Sequence, residues 1–547
     1  MSGKCESPAA MVRNVYILGW SLLICSLAGC QRAQRPPPSL LDDPAAVTVE
    51  RLLAAPGDGA QWITHGGAYS EQRFSHLRQI DVRNVGQLRL AWQADYGSSV
   101  GQQGVPLYID GVIYVPVDGS RLLALDARDG RQLWQYDAGP AGSAVSDPAA
   151  RGLAAYRGRI IMSTAARLIA IDARTGREAW SQALAGGAEP SQGVPAATPP
   201  RIVQGKVLIG ATNAGARGAL TAFDADMGRE IWRFHNVPGD PALGFGNEAM
   251  KRAATTWSGE WWTTGGGGGV GEGAVYDPAT DLFIYGTGGS ALPHDARSGD
   301  RLFTASLIAL KAGSGEYVWH YQTTPAGSGQ YDATDPMMTL DVLIDGKPRH
   351  VLVQPNANGF LYMLDVATGE LLAADAFTTV DWATGVDMKT GRPDVARAAR
   401  SGKARESTLP APRWYSAAYS PDTGLMYIAD ADHVKAWNPV ARMPQWETGS
   451  LAGSLPGGVL ATAGGLVFHS AGGQLRGVDA KTGRQLWSHE TQSVTRAPPI
   501  SYELDGRQYI AVSTGGAVRE DSGAGASARL LVFALGSDSA QLGEQQH

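Results

Sequence analysis

The sequence predicts an all-β protein, an eight-bladed β-propeller, and three observations predict it. A unit made of an apolar strand, an Asp-Ala-x-x-Gly turn and a second strand ending in Trp recurs along the chain. Hairpin signals precede its copies. The composition carries only 18% charged residues against 70 Gly and 15 Trp, which suits short strands and tight turns better than long helices.

The copies can be read in order. LLALDARDGRQLW ends at Trp134, LIAIDARTGREAW at Trp180, LTAFDADMGREIW at Trp232, LIALKAGSGEYVW at Trp319 and LRGVDAKTGRQLW at Trp487. YMLDVATGELL, from Tyr362 to Leu372, lacks its Trp. VKAWNPVARMPQW is a worn copy ending at Trp446, and LLVFALG, ending at Gly536, is a last half-copy. In each unit the turn glycine can take positive φ. Preceding segments such as PLYIDGVIYVPV and PRIVQGKVLIGA add a hairpin with Asp-Gly or Gln-Gly at the tip. One unit is therefore a four-stranded antiparallel sheet. Such a sheet cannot bury its faces alone, so neighbours stack, and closing the ring protects the edges. The span from Trp62 to Leu535 holds eight such blades at roughly 40–60 residues each. The Trp residues are read as wedges between blades.

Ahead of the repeats, VYILGWSLLICSLAGC follows Arg13 and reads as the apolar core of a signal peptide, too short for a comfortable membrane span. Its end, Leu27-Ala28-Gly29-Cys30, resembles a bacterial lipobox, which implies cleavage before Cys30 and lipidation of its thiol. Translation starts at Met1 or Met11. Cys5 and Cys25 lie in the removed part, so no thiol is left for a disulfide. The expected divisions are a signal peptide over 1–29, a lipidated tether over 30–45, the propeller over 46–537 and a flexible tail over 538–547. Gln31 after the lipid-bearing Cys resembles sorted lipoproteins and implies a periplasmic protein anchored in the outer membrane.

Several chemistries are excluded. A net charge of −6, from 46 Lys+Arg against 52 Asp+Glu, leaves no basic face for nucleic acid. The ten His show no metal-like pair spacing, and no Gly-x-Ser-x-Gly or mature Cys nucleophile exists. Gly266, Gly268 and Gly271 match Gly-x-Gly-x-x-Gly, but the strand-like AVYDP follows, so close backbone packing is the better reading.

The repeat, together with RFSHLRQIDVRNVGQLRLAW, TTWSGEWWTTGGGG, VWHYQTTP, NGFLYMLD, DWATGVDMKTGRP and GGVLATAGGLVF, resembles the quinoprotein alcohol dehydrogenases over nearly all the mature chain. The resemblance implies an eight-bladed propeller oxidising alcohols with pyrroloquinoline quinone (PQQ) and Ca²⁺ in a central funnel. Carried over by position, the family's functional groups are replaced here. Gln103 stands for a cofactor-facing Glu, and Val145 and Ser146 stand for a pair of cysteines. ATNAGA lacks a Ca²⁺-binding Glu, and Gly271 stands for the Trp under the quinone. Gly289 replaces a Ca²⁺-binding Asn, Gln330 the catalytic Asp, and Ala357 a Lys or Arg. Arg151 is kept. Asp381 replaces an Asn and could pair with Arg151.

Glu272, Asp332, Asp335 and Asp381 are the acids near the inferred funnel; Asp332, two residues past Gln330, reads first as a cap or turn of its loop and, should the loop slide, as a displaced base. With so many positions replaced, the expectation is a propeller that binds or transforms a small molecule in its funnel with no cofactor, PQQ and calcium being the alternative. An active PQQ-dependent dehydrogenase and an outer-membrane assembly scaffold are the other two functions. Lacking Cys-x-x-Cys-His, a redox-active form passes its electrons to a separate partner.

Overall fold

The computed structural model describes residues 43–98, 102–139, 152–164, 166–184, 196–212, 217–292, 299–325, 331–395, 416–429, 433–449, 456–471, 473–516 and 526–536. Cys30, Val145, Ser146, Arg151, Gln330 and the tail 538–547 lie outside them. The expected tether is described only from Asp43, and its last residue, Ala45, is already fully buried.

Eight antiparallel sheets form the blades of a propeller, as the repeat predicts. Blades 1 to 7 span 107–137, 154–183, 196–235, 270–322, 338–376, 417–447 and 456–490. Blade 8 takes three strands from 500–535 and its outermost strand, Leu88–Asp95, from the chain's beginning. Joining the two ends in one sheet closes the ring and removes its open edges. The hairpin tips behave as their sequences require: Asp110-Gly111, Gln204-Gly205, Asp345-Gly346 and Asp505-Gly506 all have positive φ at both residues.

Neighbouring blades are joined by one recurring contact. A Trp from the outer strand of one blade lies on the turn glycine of the next. A Cβ added at Gly130, Gly176, Gly228, Gly315, Gly369 or Gly483 would fall 2.5–2.8 Å from the ring of Trp92, Trp134, Trp180, Trp232, Trp319 or Trp446 respectively. Those glycines also have φ between +68° and +76°, so two independent constraints select Gly. The indole N–H donates to the carbonyl two residues into the turn motif: Trp134 to Ala173 at 2.9 Å, Trp319 to Val366 at 3.0 Å and Trp446 to Ala480 at 3.1 Å. Trp487 closes the ring by donating to Leu88.

The joint between blades 5 and 6 departs from this. Ala373 stands where the Trp belongs, and Arg442, with φ +59°, stands where the Gly belongs. The Arg442 guanidinium grips the Asp375 carboxylate through Nε at 2.8 Å and Nη2 at 2.7 Å. A bidentate ion pair thus replaces the ring-on-glycine contact.

The segment 60–75 runs across one end of the central channel, touching inner strands around the ring. Trp62 bridges Tyr108 of blade 1, and Ala60 C=O accepts from Glu503 of blade 8. Ser70, Gln72 and Arg73 accept from Thr339, Tyr419 and Ala461 of blades 5, 6 and 7. Tyr69 meets Tyr276 of blade 4 edge to face at 5.0 Å. On the side of blade 3, Glu71 pairs with Arg201 at 3.1 Å and with His65 at 3.2 Å, all three buried with Arg73. Burial, then the charges of Arg201 and Arg73, push His65 down to about 4.

No helix among the described residues is long and apolar enough to cross a membrane.

Two outcomes follow from this packing. Trp487→Ala lowers the unfolding free energy by about 3–5 kcal/mol, as buried aromatic truncations do, and Trp134→Ala, whose ring is half-buried, lowers it toward the lower end of that range. Denaturant titration checks this, and two variants that unfold with the unsubstituted protein would refute the wedge. The second outcome concerns pH. Burial, as the largest cause, holds His235 and His320 down to about 4 and His469 to about 3, alongside His65. The folded state refuses protons that the unfolded chain takes below about 6.5. Stability therefore falls as pH drops from 6.5 toward 4. His350 acts on the other side. It bridges Asp277 of blade 4 and Asp341 of blade 5 and is raised to about 9, chiefly by its bond to Asp277. Its contribution is complete below 6.5 and lost as pH rises through 9. Melting temperatures across pH 4–10 should peak near neutrality, and His350→Ala should flatten only the alkaline side.

Candidate active site

Two of the four acids expected near the funnel, Asp332 and Asp335, sit on the loop 331–337, which leads from the outer strand of blade 4 (Tyr317–Gln322) into the inner strand of blade 5 (Met338–Ile344). This loop lies on the two inner strands of blade 4, Val270–Asp277 and Leu282–Thr287. Ala333 N–H donates to Thr287 C=O at 3.0 Å, and Gly273 N–H to Thr334 C=O at 3.0 Å. The approach is so close that three positions tolerate no side chain. A Cβ at Gly271 would lie 2.0 Å from Thr334 Cβ, one at Gly273 1.8 Å from the Asp335 carbonyl oxygen, and one at Gly286 1.8 Å from that of Ala333. The pairing of the two strands shifts register between Val270 and Ala274, within the same glycine-rich stretch. The close-packing reading of the glycine run is thus the observed one, and a strand, not a helix, follows it.

Asp332 projects from this loop and is exposed. Its Oδ1 accepts the backbone N–H of Gly289 at 2.6 Å, and would stand 3.4 Å from a Cβ at that position. Asp335, three residues on, accepts the N–H of Ala357 at 2.8 Å through Oδ2. Burial, and then the charge of Asp332, push the Asp335 carboxyl up to about 7, against the Ala357 hydrogen bond that pulls it down. Its contribution to stability has the sign opposite to that of the buried histidines: present below 3.8 and lost as pH rises through 7. One such group against four leaves the acid-side trend in place.

Glu272 sits between the two glycines on the strand beneath, and its charge favours the protonated form of Arg73, which burial holds down to about 10. The end segment of the channel and the strand beneath the acid-bearing loop are therefore electrostatically joined. Beside the loop, Tyr331 and Trp382 lie ring to ring at 5.7 Å.

The structure gathers Gly271, Gly289, Asp332, Asp335 and Ala357 in one place. Gln103 is half-buried next to Gln102, which is buried and donates to Asp118 at 3.0 Å. Asp381 is exposed while its neighbour Trp382 is buried, and its expected partner Arg151 lies outside the described residues. Sequence reasoning missed Gln354 and the buried His65, Glu71, Arg73 and Arg201 group. Arg73 stood in the stretch RFSHLRQI that carries the family resemblance, but neither composition nor repeat marked it as buried.

The profile of the family described as "Glucose/ethanol/alcohol dehydrogenase, beta-propeller domain", a PQQ family, matches residues 62–375 and 430–510. The quinohemoprotein alcohol dehydrogenase ADH IIB of Pseudomonas putida is 39% identical over 90% of this chain and 80% of its own length. A dehydrogenase subunit of an alcohol dehydrogenase (quinone) from Gluconacetobacter polyoxogenes is 35% identical over 92% of this chain and 79% of its own. The solved quinohemoprotein alcohol dehydrogenase ADHIIG of Pseudomonas putida superposes with a TM-score of 0.85 at 36% identity, covering 90% of this chain and 83% of that one.

These likenesses overturn the expectation of no cofactor, because the chains most of this sequence resembles are named for their quinone. The expectation rested on the joint replacement of those positions. In the fold, Gly271 and Gly289 are not gaps: Thr334 covers the first and the Asp332 carboxylate stands over the second. With its propeller, its repeats and its matched length, the chain belongs to the PQQ-dependent alcohol dehydrogenase family.

Proposed function

We propose that this protein oxidises an alcohol as a quinoprotein dehydrogenase, with PQQ and calcium as its cofactors and Asp332 as the group that takes the hydroxyl proton. The observation that carries the reading is the Asp332 carboxylate, exposed over the inner strands of blade 4 and held by the Gly289 N–H at 2.6 Å. An exposed carboxylate with a fixed backbone seat is the kind of group general base catalysis uses. Family membership supplies the reaction class.

The described wall bears on the cofactors in two ways. A ring at position 271 has no room beneath the loop, so Thr334 and not an aromatic side chain faces the inner end of this strand. Among the described residues no three His, Cys, Asp or Glu side chains group to hold a metal ion. The described residues alone therefore supply no cluster of acidic calcium ligands, and positions 151, 213–216 and 330 are not among them. The quinone, when bound, supplies the electron acceptor. This chain's own contribution is the carboxylate of Asp332, the seat that fixes it, and the aromatic pair Tyr331 and Trp382 at its side.

The purified protein given PQQ and Ca²⁺ should bind the quinone, followed by its absorbance, and should oxidise alcohols in a Ca²⁺-dependent way with an artificial acceptor. Asp332→Asn should lower kcat by about 10²–10⁴, the usual scale of a lost general base, while quinone binding persists. Absence of both binding and turnover in the unsubstituted protein would sink the proposal. An Asp332→Asn protein with full kcat would remove Asp332 from it.

For location we propose lipidation at Cys30 in the periplasm, supported by the Leu27-Ala28-Gly29-Cys30 sequence and the Pro-rich stretch after it. Cys30→Ala should take up no labelled palmitate and should leave the membrane pellet. A variant that still sediments with membranes would refute the anchor.

A further inference from the structure

The acid-bearing loop is held by one side chain as well as by glycine. Gln354 lies in the second strand of blade 5, Lys347–Pro355, and is fully buried. Its Nε2 donates to the carbonyl oxygens of Ala333 and Asp335, each at 2.9 Å. Those are the two carbonyls pressed against Gly286 and Gly273 from the other side. Its Oε1 accepts from Asn356 Nδ2 at 3.0 Å, which settles which end of the amide faces the loop. The same turn then carries the bonds onward. Asn356 Oδ1 accepts from Asn358 N–H at 3.0 Å, and the Asn358 carbonyl accepts from Trp382 Nε1 at 2.8 Å.

We propose that Gln354 is a positioning residue of this site, fixing the carboxylates of Asp332 and Asp335 through the two backbone carbonyls that flank and follow them. Both of its donated bonds end on the loop that bears the acids. An ordinary core side chain would face its own sheet, whereas Gln354 supplies the side-chain donor to both loop carbonyls. Blade 4 supplies the floor for the loop, and Gln354 of blade 5 supplies the clamp. The carboxylates stand where they do only while both hold. The inference rests on the function proposed above for its kinetic consequence alone.

The test uses the full chain with Gln354→Met, which keeps the volume and removes both donors. A cooperative unfolding transition shows that the variant folds. In the protein without cofactors, the carboxylic-acid infrared band is assigned through Asp335→Asn and titrated. It should titrate near 7 in the unsubstituted protein. In Gln354→Met it should move down toward the ordinary carboxylate range, because the released carboxyl meets water. After loading with PQQ and Ca²⁺, kcat should fall at least about tenfold with KM for the alcohol little changed, as misplaced catalytic groups do. A merely structural glutamine would lower the melting temperature and leave the titration in place, and that result would overturn the proposal. If the unsubstituted protein oxidises no alcohol while the variant still shifts the titration, the dehydrogenase reading fails and the positioning role stands. Should Gln354→Met not fold, Asn356→Ala frees the amide to rotate. It should move the titration in the same direction by a smaller amount, and an unmoved titration there overturns the proposal equally.

Discussion

A tryptophan ring lying on a glycine of the next blade is the contact on which the rest of this molecule depends. Each four-stranded sheet has two apolar faces and no helix to cover them, so its faces must meet other sheets. The ring supplies area and the indole N–H supplies direction, through its bond to a turn carbonyl of the neighbouring blade. Glycine is demanded twice at the receiving turn, by positive φ and by the ring pressed onto its α-carbon. The joint is therefore a two-residue device, and either half without the other would be a liability. Between blades 5 and 6 both halves are absent together. Ala373 removes the ring, and Arg442 takes the positive φ at some strain while turning its guanidinium onto Asp375. Because that ion pair is partly exposed, it adds less than a buried indole would. The segment 60–75, bonded to blades 5, 6 and 7 from within, spans this weaker joint.

The active-site wall uses the same logic of close approach. In the blades, glycine admits a ring; on blade 4, Gly271, Gly273 and Gly286 admit a backbone. A loop laid this tightly on two strands has nowhere to move downward, and Gln354 prevents it from lifting. Asp332 and Asp335 come within electrostatic reach of one another on a surface that water reaches only in part, which is why Asp335 resists ionisation. Such a group opposes stability near neutrality, and the fold tolerates it because the loop is held by backbone and amide bonds that do not titrate.

Much of this was legible in the sequence, and the divide follows physical lines. The blades were legible because their period is local: strand, turn, strand and Trp all fall within thirteen residues, as in LLALDARDGRQLW. The hairpin tips were legible because Asp-Gly and Gln-Gly need no partner elsewhere. The crowding at Gly271 was foreseen as close packing, for a glycine run before a strand has few other uses. What the positions alone misjudged was replacement. Gly289 read as the loss of an oxygen ligand, yet the group that stands over it comes from residue 332, forty-three positions away. Gln354 gave no signal because an amide in a β-strand has many unremarkable uses, and its meaning lies in two carbonyls across a blade boundary. The pairing of His65 and Glu71 with Arg201 was hidden for the same reason: the residues are separated by more than a hundred positions.

A family site can change without losing its wall. A side chain removed at 271 opens space only if nothing enters it. Here the loop carrying Thr334 sits in that space, and its entry brings Asp332 and Asp335 onto the wall. Restoring a bulky residue at 271 would therefore not restore a platform. It would drive Thr334 off the strand, break the Gly273 to Thr334 bond and strain the hold of Gln354 on both carbonyls. Glycine at 271 and the two acids belong to one arrangement, each conditional on the others. Substitutions in such a set are non-additive by construction, so the joint loss read from the aligned positions pointed to a site without its cofactors, while the assembled wall holds Asp332 and Asp335 on the loop that replaces the missing groups.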